Sequence, residues 1–283
     1  WVMAKQKELN YKPRFFSYKE FYTEAQFELI KKGFSDKAMI PQEFPENEIE
    51  AFLSSGRPRF NQKMLSMMAD QTGKPYGVGN LRDDKHSIEF QPDPDGKLTI
   101  WLPRRDHKMY LIAADVAGGI PEGAPINSEE ADHRAWSVAA VFDRSSWEVV
   151  AELRLRCDPG DFGRMLCVLG EFYNWAILAP ESNNHGAATL ESIKANDYPH
   201  ILRTSDLWPD DVKRLGFPTT PRTKNLIVTS LRNAIDNQAY KENSLVAIEE
   251  MQAASYADDG SMVSEGGFLD CVLTRCIGLY CLQ

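Results

Sequence analysis

The sequence predicts an α/β domain built on a mixed sheet, three antiparallel strands followed by parallel ones, with helices on its faces. Three observations predict it. The run Tyr110-Leu-Ile-Ala-Ala114 is apolar without alternation and leads straight into Asp115, as in a strand covered on both sides. The stretches 135–143 and 147–154 are apolar segments separated by Arg144-Ser-Ser146, which is the pattern of a hairpin. Beyond Asp158, helical and strand-like segments alternate, as in βαβ units.

In chain order, Tyr18 to Ile30 carries apolar residues at helical spacing and stops at Gly33. A proline-punctuated link (41–45), a short amphipathic helix (46–56) and another short helix (Phe60–Met68) follow. Residues 70–108 are rich in Gly, Pro and Asp, with one candidate strand at Leu98–Leu102. After the hairpin, a helix starts at Asp158-Pro-Gly-Asp161 and runs to about Asn174. A buried strand is expected at Ala176–Ala179, a helix at Gly186–Ala195 and a short strand at His200–Arg203. Thr223–Asn237 is amphipathic, with Leu226, Ile227, Leu231, Ala234 and Ile235 on one side, and Phe268–Leu282 is a final apolar helix. The expected division is residues 1–70 as the tail of a preceding domain plus a hinge, and 71–283 as the complete domain. The opening Trp1-Val2-Met3-Ala4 reads as a start inside something longer.

Composition narrows the function. No apolar run approaches the roughly 20 residues needed to cross a bilayer, so no membrane association is expected. Five cysteines without a CxxC pair read as reduced core thiols of an intracellular protein. The net charge of −9 excludes a generic polyanion binder. It remains compatible with nucleic acid, because metal-binding acids lower the total while basic residues gather elsewhere. Between Arg203 and Arg232, Arg203, Lys213, Arg214, Arg222, Lys224 and Arg232 face only Asp206, Asp210 and Asp211.

The chemistry rests on three acids. Asp115 ends a buried strand, where a carboxylate is costly unless paired or bound to a cation, and Gly118 and Gly119 then clear space beside it. Glu181 ends the strand 176–180 and precedes Ser182-Asn-Asn-His-Gly186; ligands of open α/β sheets collect beyond such strand ends. Asp270 stands early in the final apolar helix. Each acid alone has a plain reading as a turn cap, a helix-start charge or a core ion-pair member. Together they form a hard oxygen set that favours Mg²⁺ or Mn²⁺ over zinc. Two such ions about 4 Å apart activate water and stabilise the leaving oxygen of a phosphodiester. Around them, Lys224 after Pro221-Arg222-Thr223 reads either as a DNA-phosphate contact at a helix start or as a solvated lysine. Asn183, Asn184 and His185 read either as residues orienting Glu181 or reaching a phosphate, or as a polar turn without that duty. Trp136 and Trp147 read as sheet-face residues.

The ordered set Glu-Phe-Pro…Glu-Ala-Phe-Leu-Ser-Ser-Gly (43–56), Ile-Ala-Ala-Asp-Val-Ala-Gly-Gly (112–119), Glu-Ser-Asn-Asn-His-Gly (181–186), Thr-Lys (223–224) and Gly-Phe-Leu-Asp (267–270) resembles the large terminase subunit of tailed bacteriophages. The resemblance covers nearly the whole chain. It implies a ribonuclease-H-like nuclease domain preceded by the last part of the packaging ATPase. It also implies Asp115, Glu181 and Asp270 as the metal-binding acids, and metal-dependent cutting of concatemeric double-stranded viral DNA. The implied partners are the capsid portal and the terminase small subunit, in the cytoplasm of the infected bacterial host and transiently at the procapsid portal. Two positions depart from the pattern. The last motif usually carries two adjacent acids, whereas Leu269 precedes Asp270 here, leaving Asp258, Asp259 and Glu265 as substitutes; the second-strand acid has only a shifted counterpart in Asp132. No GxxxxGK[ST] loop is present, so no ATPase activity is expected from this chain. The alternatives are a junction-resolving nuclease of the same superfamily and a non-catalytic module docking on the portal or small subunit.

Overall fold

A computed structural model describes residues 16–33, 40, 44, 58–84, 87–118, 136–257, 261–264 and 268–283. The expected link at 41–45 lies almost wholly, and the expected helix at 46–56 wholly, outside the described residues, as do Gly119, Asp132, Asp258, Asp259 and Glu265. The chain divides into two units, residues 1–59 with 255–262 and residues 60–254 with 263–283. In the first, a 3₁₀ turn (Tyr18–Glu20) precedes helix α1 (Glu24–Gly33), and the Tyr18 and Phe27 rings stack at 3.9 Å.

The second unit begins with helix α2 (Gln62–Gln71), which Asn61 caps through its side chain. Its sheet comprises β1 (Gly77–Asp83), β2 (Ile88–Pro92), β3 (Leu98–Ile100), β4 (Tyr110–Asp115), β5 (Ser137–Asp143), β6 (Glu148–Leu155) and β7 (Ile177–Pro180). Their order is β2-β1-β3-β6-β5-β4-β7, and only β4 and β7 pair in parallel. Around them run α3 (Pro159–Phe172), α4 (Gly186–Ala195), the short α5 (Thr204–Leu207), α6 (Pro221–Asp236), α7 (Leu245–Ala253) and α8 (Asp270–Cys281). Ala254–Tyr256 and Met262–Ser264 pair as a separate ribbon.

β4 is buried at every position, as the unbroken apolar run predicts. Its side chains alternate between two packed faces. Tyr110, Ile112 and Ala114 join Phe162, Leu166 and Leu169 of α3 in one core, so by the twofold period Leu111, Ala113 and Asp115 face the other side. On that side α8 packs against β4 and β5. The approach is close, because a Cβ on Gly278 would stand 2.2 Å from the Phe142 ring.

Two expectations need correction. Residues 70–108 hold three strands where sequence indicated one. His200–Arg203 makes only isolated bridges, Leu178 to Ile201 and Arg203 to Leu215, because β7 is short and Leu178 alone pairs outward there. The five cysteines are free thiols, with Cys271 and Cys276 fully buried; burial raises Cys157 and Cys167 to about 11, so they stay protonated at neutral pH.

Under α8 lies a charged group that an apolar helix does not advertise. Arg275 is 0% exposed. Its Nε and Nη2 donate to the two carboxylate oxygens of Glu242 at 2.9 and 3.1 Å, and its Nη1 lies 2.6 Å from Glu152 Oε2. Glu242 also accepts the backbone N–H groups of Asn243 and Ser244. A bidentate guanidinium between two carboxylates fixes α8, the segment before α7 and β6 relative to one another. Removing one partner from such a group strands the others without solvent. Arg275→Met is therefore expected to cost about 3–5 kcal/mol in urea unfolding. Adding Glu242→Gln to that variant is expected to recover part of the loss.

Candidate metal centre

The candidate centre lies where β4 and β7 end. Because they are parallel neighbours in the register Ala114 to Pro180, the residues that follow, Asp115 and Glu181, emerge side by side. The Glu181 backbone is held on both sides: its N–H donates to the Ala114 carbonyl at 2.8 Å, and it bridges Phe217 on the other flank. The turn after Glu181 needs its glycine, since a Cβ at Gly186 would meet the Glu181 carbonyl oxygen at 1.9 Å. After Asp115 the chain is fixed by the Ala117 N–H donating to Ser137 Oγ at 3.1 Å.

The carboxyl groups of Asp115 and Glu181 are within hydrogen-bonding reach. Asp115 is 7% exposed. Burial, the Glu181 carboxyl and the charge of Asp270 hold its proton far above the ordinary carboxylate range, while the Val116 N–H draws it partly back. The influence of Asp270 brings the third acid into the same electrostatic site, although 155 positions separate the two in sequence. Asp270 opens α8, and its Oδ2 accepts the Trp136 backbone N–H at 2.8 Å. Burial raises its proton affinity, which that N–H, Arg154 and Arg156 oppose. Among the described residues no group of three or more His, Cys, Asp or Glu side chains is placed so that it could hold a metal ion. The arrangement is an open one: Asp115 and Glu181 follow the ends of neighbouring strands, and Asp270 acts on Asp115 through its charge.

The remaining sequence candidates spread around this centre. The Asn183 amide donates to the Thr219 carbonyl, tying the turn after Glu181 to the segment that enters α6. Asn184 is exposed, with φ at +45°. His185 is exposed and precedes α4 without capping it; its imidazole lies against Gly118, where a Cβ would stand 2.8 Å from Nε2. Gly118 thus clears room for an imidazole. Arg222 and Lys224 sit in the first turn of α6, started by Thr220 in a reciprocal capping arrangement with Thr223, and among the described residues neither forms an ion pair.

Two groups at the centre are not evident from the sequence. The Arg154 and Arg156 guanidinium groups both lie over the Trp136 ring, at 4.6 and 4.2 Å from its centroid. Glu250 accepts the Cys271 N–H at 2.8 Å, serving the first turn of α8, and lies 3.5 Å from Arg154. The hint for the first was arginine at alternate positions, 154 and 156, opposite an aromatic residue in a hairpin.

A mixed sheet with helices on both faces and a parallel pair of strands, β4 and β7, that each end on an acid is the ribonuclease-H-like α/β class. Within that class the fold is that of the nuclease domain of phage large terminases. The large terminase nuclease from thermophilic phage G20c with bound magnesium aligns over 79% of this chain and 96% of its own, with a TM-score of 0.53 and 14% identity. Its cobalt-bound structure covers the same shares, with a TM-score of 0.52 and 15% identity. A Thermus phage large terminase nuclease domain aligns over 76% of this chain and 93% of its own, with a TM-score of 0.51 and 15% identity. No protein-family model and no curated protein sequence matches the chain.

The raised proton affinity of Asp115 has a stability sign. The folded state holds that proton more tightly than the unfolded chain, so stability is greatest below the unfolded carboxylate range and is lost as pH rises through the folded one. Asp115→Asn removes the buried charge at similar shape. It is expected to melt higher than wild type at pH 7–8, by roughly 2–4 °C per kcal/mol relieved, and to show a flatter fall in melting temperature with rising pH. Differential scanning fluorimetry from pH 4 to 9 without divalent ions measures both.

Proposed function

We propose that the chain is a metal-dependent endonuclease of a viral DNA-packaging terminase, cutting concatemeric double-stranded DNA by two-metal phosphodiester hydrolysis. The observation that carries this reading is the meeting of Asp115 and Glu181 at the ends of the parallel pair β4–β7, within the field of Asp270. The donors fit a hard divalent ion: all are carboxylate oxygens, and like charges crowded at a buried strand end are relieved by a dication or a proton. Mg²⁺ or Mn²⁺ held by Asp115, Glu181 and Asp270 would supply Lewis-acid stabilisation and water activation at the scissile phosphate.

The protein's own part follows from the geometry. Burial and the two neighbouring acids raise the proton affinity of Asp115, and a carboxyl must lose its proton before it serves as a ligand, so ion affinity rises with pH. The Trp136 N–H fixes one oxygen of Asp270 and leaves the other for the site. Arg222 and Lys224, at the start of α6, supply positive charge toward a phosphate backbone. The same reading includes viral double-stranded DNA, the capsid portal and the terminase small subunit as partners, in the host cytoplasm and at the procapsid portal.

Plasmid cutting in Mn²⁺ or Mg²⁺ is the test. Asp115→Asn and Glu181→Gln are each expected to lower the rate by about 100-fold or more. Equal cutting by wild type and both variants refutes the assignment. One observation favours a second reading, a docking module that does not cut: Leu269 replaces the second acid of the family motif, and one oxygen of Asp270 is already committed to Trp136. Calorimetric titration with Mn²⁺ separates the two. Site-specific binding weakened by Glu181→Gln supports the nuclease; no binding, or binding indifferent to that change, supports the docking module.

A further inference from the structure

Helix α8 opens with a need that its own sequence does not meet. The first N–H groups of a helix have no partner within it, and a side chain at the preceding position ordinarily accepts one or two of them. In α8 that position is Leu269, which offers no acceptor and makes no side-chain cap. Cys271 and Val272 are fully buried, so water does not serve their N–H groups either. Both are satisfied from another helix. Oε2 of Glu250 accepts the Cys271 N–H at 2.8 Å and the Val272 N–H at 3.4 Å.

Glu250 is carried by α7, whose buried residues otherwise are Ala247, Ile248 and Met251. A carboxylate among such neighbours is costly unless paired, and its other oxygen lies 3.5 Å from Arg154. The two helices are tied a second time, since Glu242, just before α7, receives the Arg275 guanidinium. Along α8 the ties fall at Cys271 and Arg275, about 6 Å apart at 1.5 Å per residue. Two ties fix both the place and the direction of α8, where one would leave a pivot. Asp270 stands just outside the outer tie. Glu250 thereby holds its backbone, while the Trp136 N–H holds its Oδ2 at 2.8 Å.

Resting on the nuclease reading, we propose that Glu250 is a positioning residue for that reaction: it caps α8 from α7 and so sets where Asp270 presents its second oxygen to the ion. It acts through Asp270 and needs no contact with ion or DNA. The requirement is the reach of an acceptor oxygen to the Cys271 and Val272 N–H groups, not the charge behind it. Glu250→Gln keeps that reach without the charge. Glu250→Asp keeps the charge and withdraws the oxygen by one methylene.

Duplex cutting, with the rate followed against both DNA and Mn²⁺ concentration, tests this; each variant's melting curve sets an assay temperature at which it is folded. Glu250→Asp is expected to lower kcat about 10–100-fold and to raise half-saturating Mn²⁺ about 10-fold, as when the partner of a metal ligand is lost, with KM for DNA unchanged. Glu250→Gln is expected to stay within about threefold of wild type in all three, because an amide oxygen also caps. Wild-type kcat and Mn²⁺ demand in Glu250→Asp overturn the proposal and leave the nuclease reading standing. So does an equal loss in both variants, which makes charge the requirement. A rate loss in Glu250→Asp with unchanged Mn²⁺ demand overturns it too, since a fault elsewhere in the fold does the same. No cutting by wild type overturns both readings.

Discussion

Like charge at the end of one buried strand is the constraint around which the second unit is arranged. Asp115 has almost no solvent to dissipate its charge, and two further acids act on it. Left to itself, such a cluster favours proton uptake or separation of the strands. The sheet resists separation because β4 pairs along its whole length with β5 and for four residues with β7. The strain is thereby converted into an affinity for protons at a fixed place, the place where the proposed function puts dications. Binding strength at this point comes from the packing of hydrocarbon several residues away.

The surrounding charges continue that arrangement in a graded way. Next to the acids stand Arg154 and Arg156, then Glu250 against the start of α8, and deeper still Arg275 between Glu242 and Glu152. Signs alternate outward from the centre along the face of β6, where Glu152 and Arg154 share one side. A layer of paired charges under the final helix is costly to desolvate, and a hydrophobic layer of the same volume would serve stability as well or better. What the charged version adds is direction, since a forked guanidinium accepts few arrangements of its partners.

The central part of this fold was legible in the sequence because burial on both faces leaves no alternation, and Tyr110–Ala114 shows none. The hairpin and α4 were legible for the same local reasons of period and punctuation. β1 and β2 were not, since they carry the glycines and exposed positions of a loop. Gly79 is there because a Cβ would stand 2.1 Å from the Gln91 carbonyl oxygen, a demand set by the neighbouring strand and invisible along the chain. α7 was missed for a related reason: its buried Glu250 breaks the apolar pattern to serve another helix. At the site, the acids were visible as anomalies in apolar settings. Trp136 contributes through its backbone N–H, which leaves no mark on composition, and Arg154 through a contact across strands, at which only its alternation with Arg156 hints.

The contact of Gly278 with Phe142 carries a mechanical corollary. From Asp270 to Gly278 the helix rises about 12 Å, so the bare glycine is the fulcrum and the carboxylate the tip of a lever. A side chain wedged under the fulcrum, tilting the rod by about 5°, would swing the tip by about 1 Å, a misplacement of the size that costs reacting groups orders of magnitude in rate. The third acid thus owes its position to a missing methyl group two turns away.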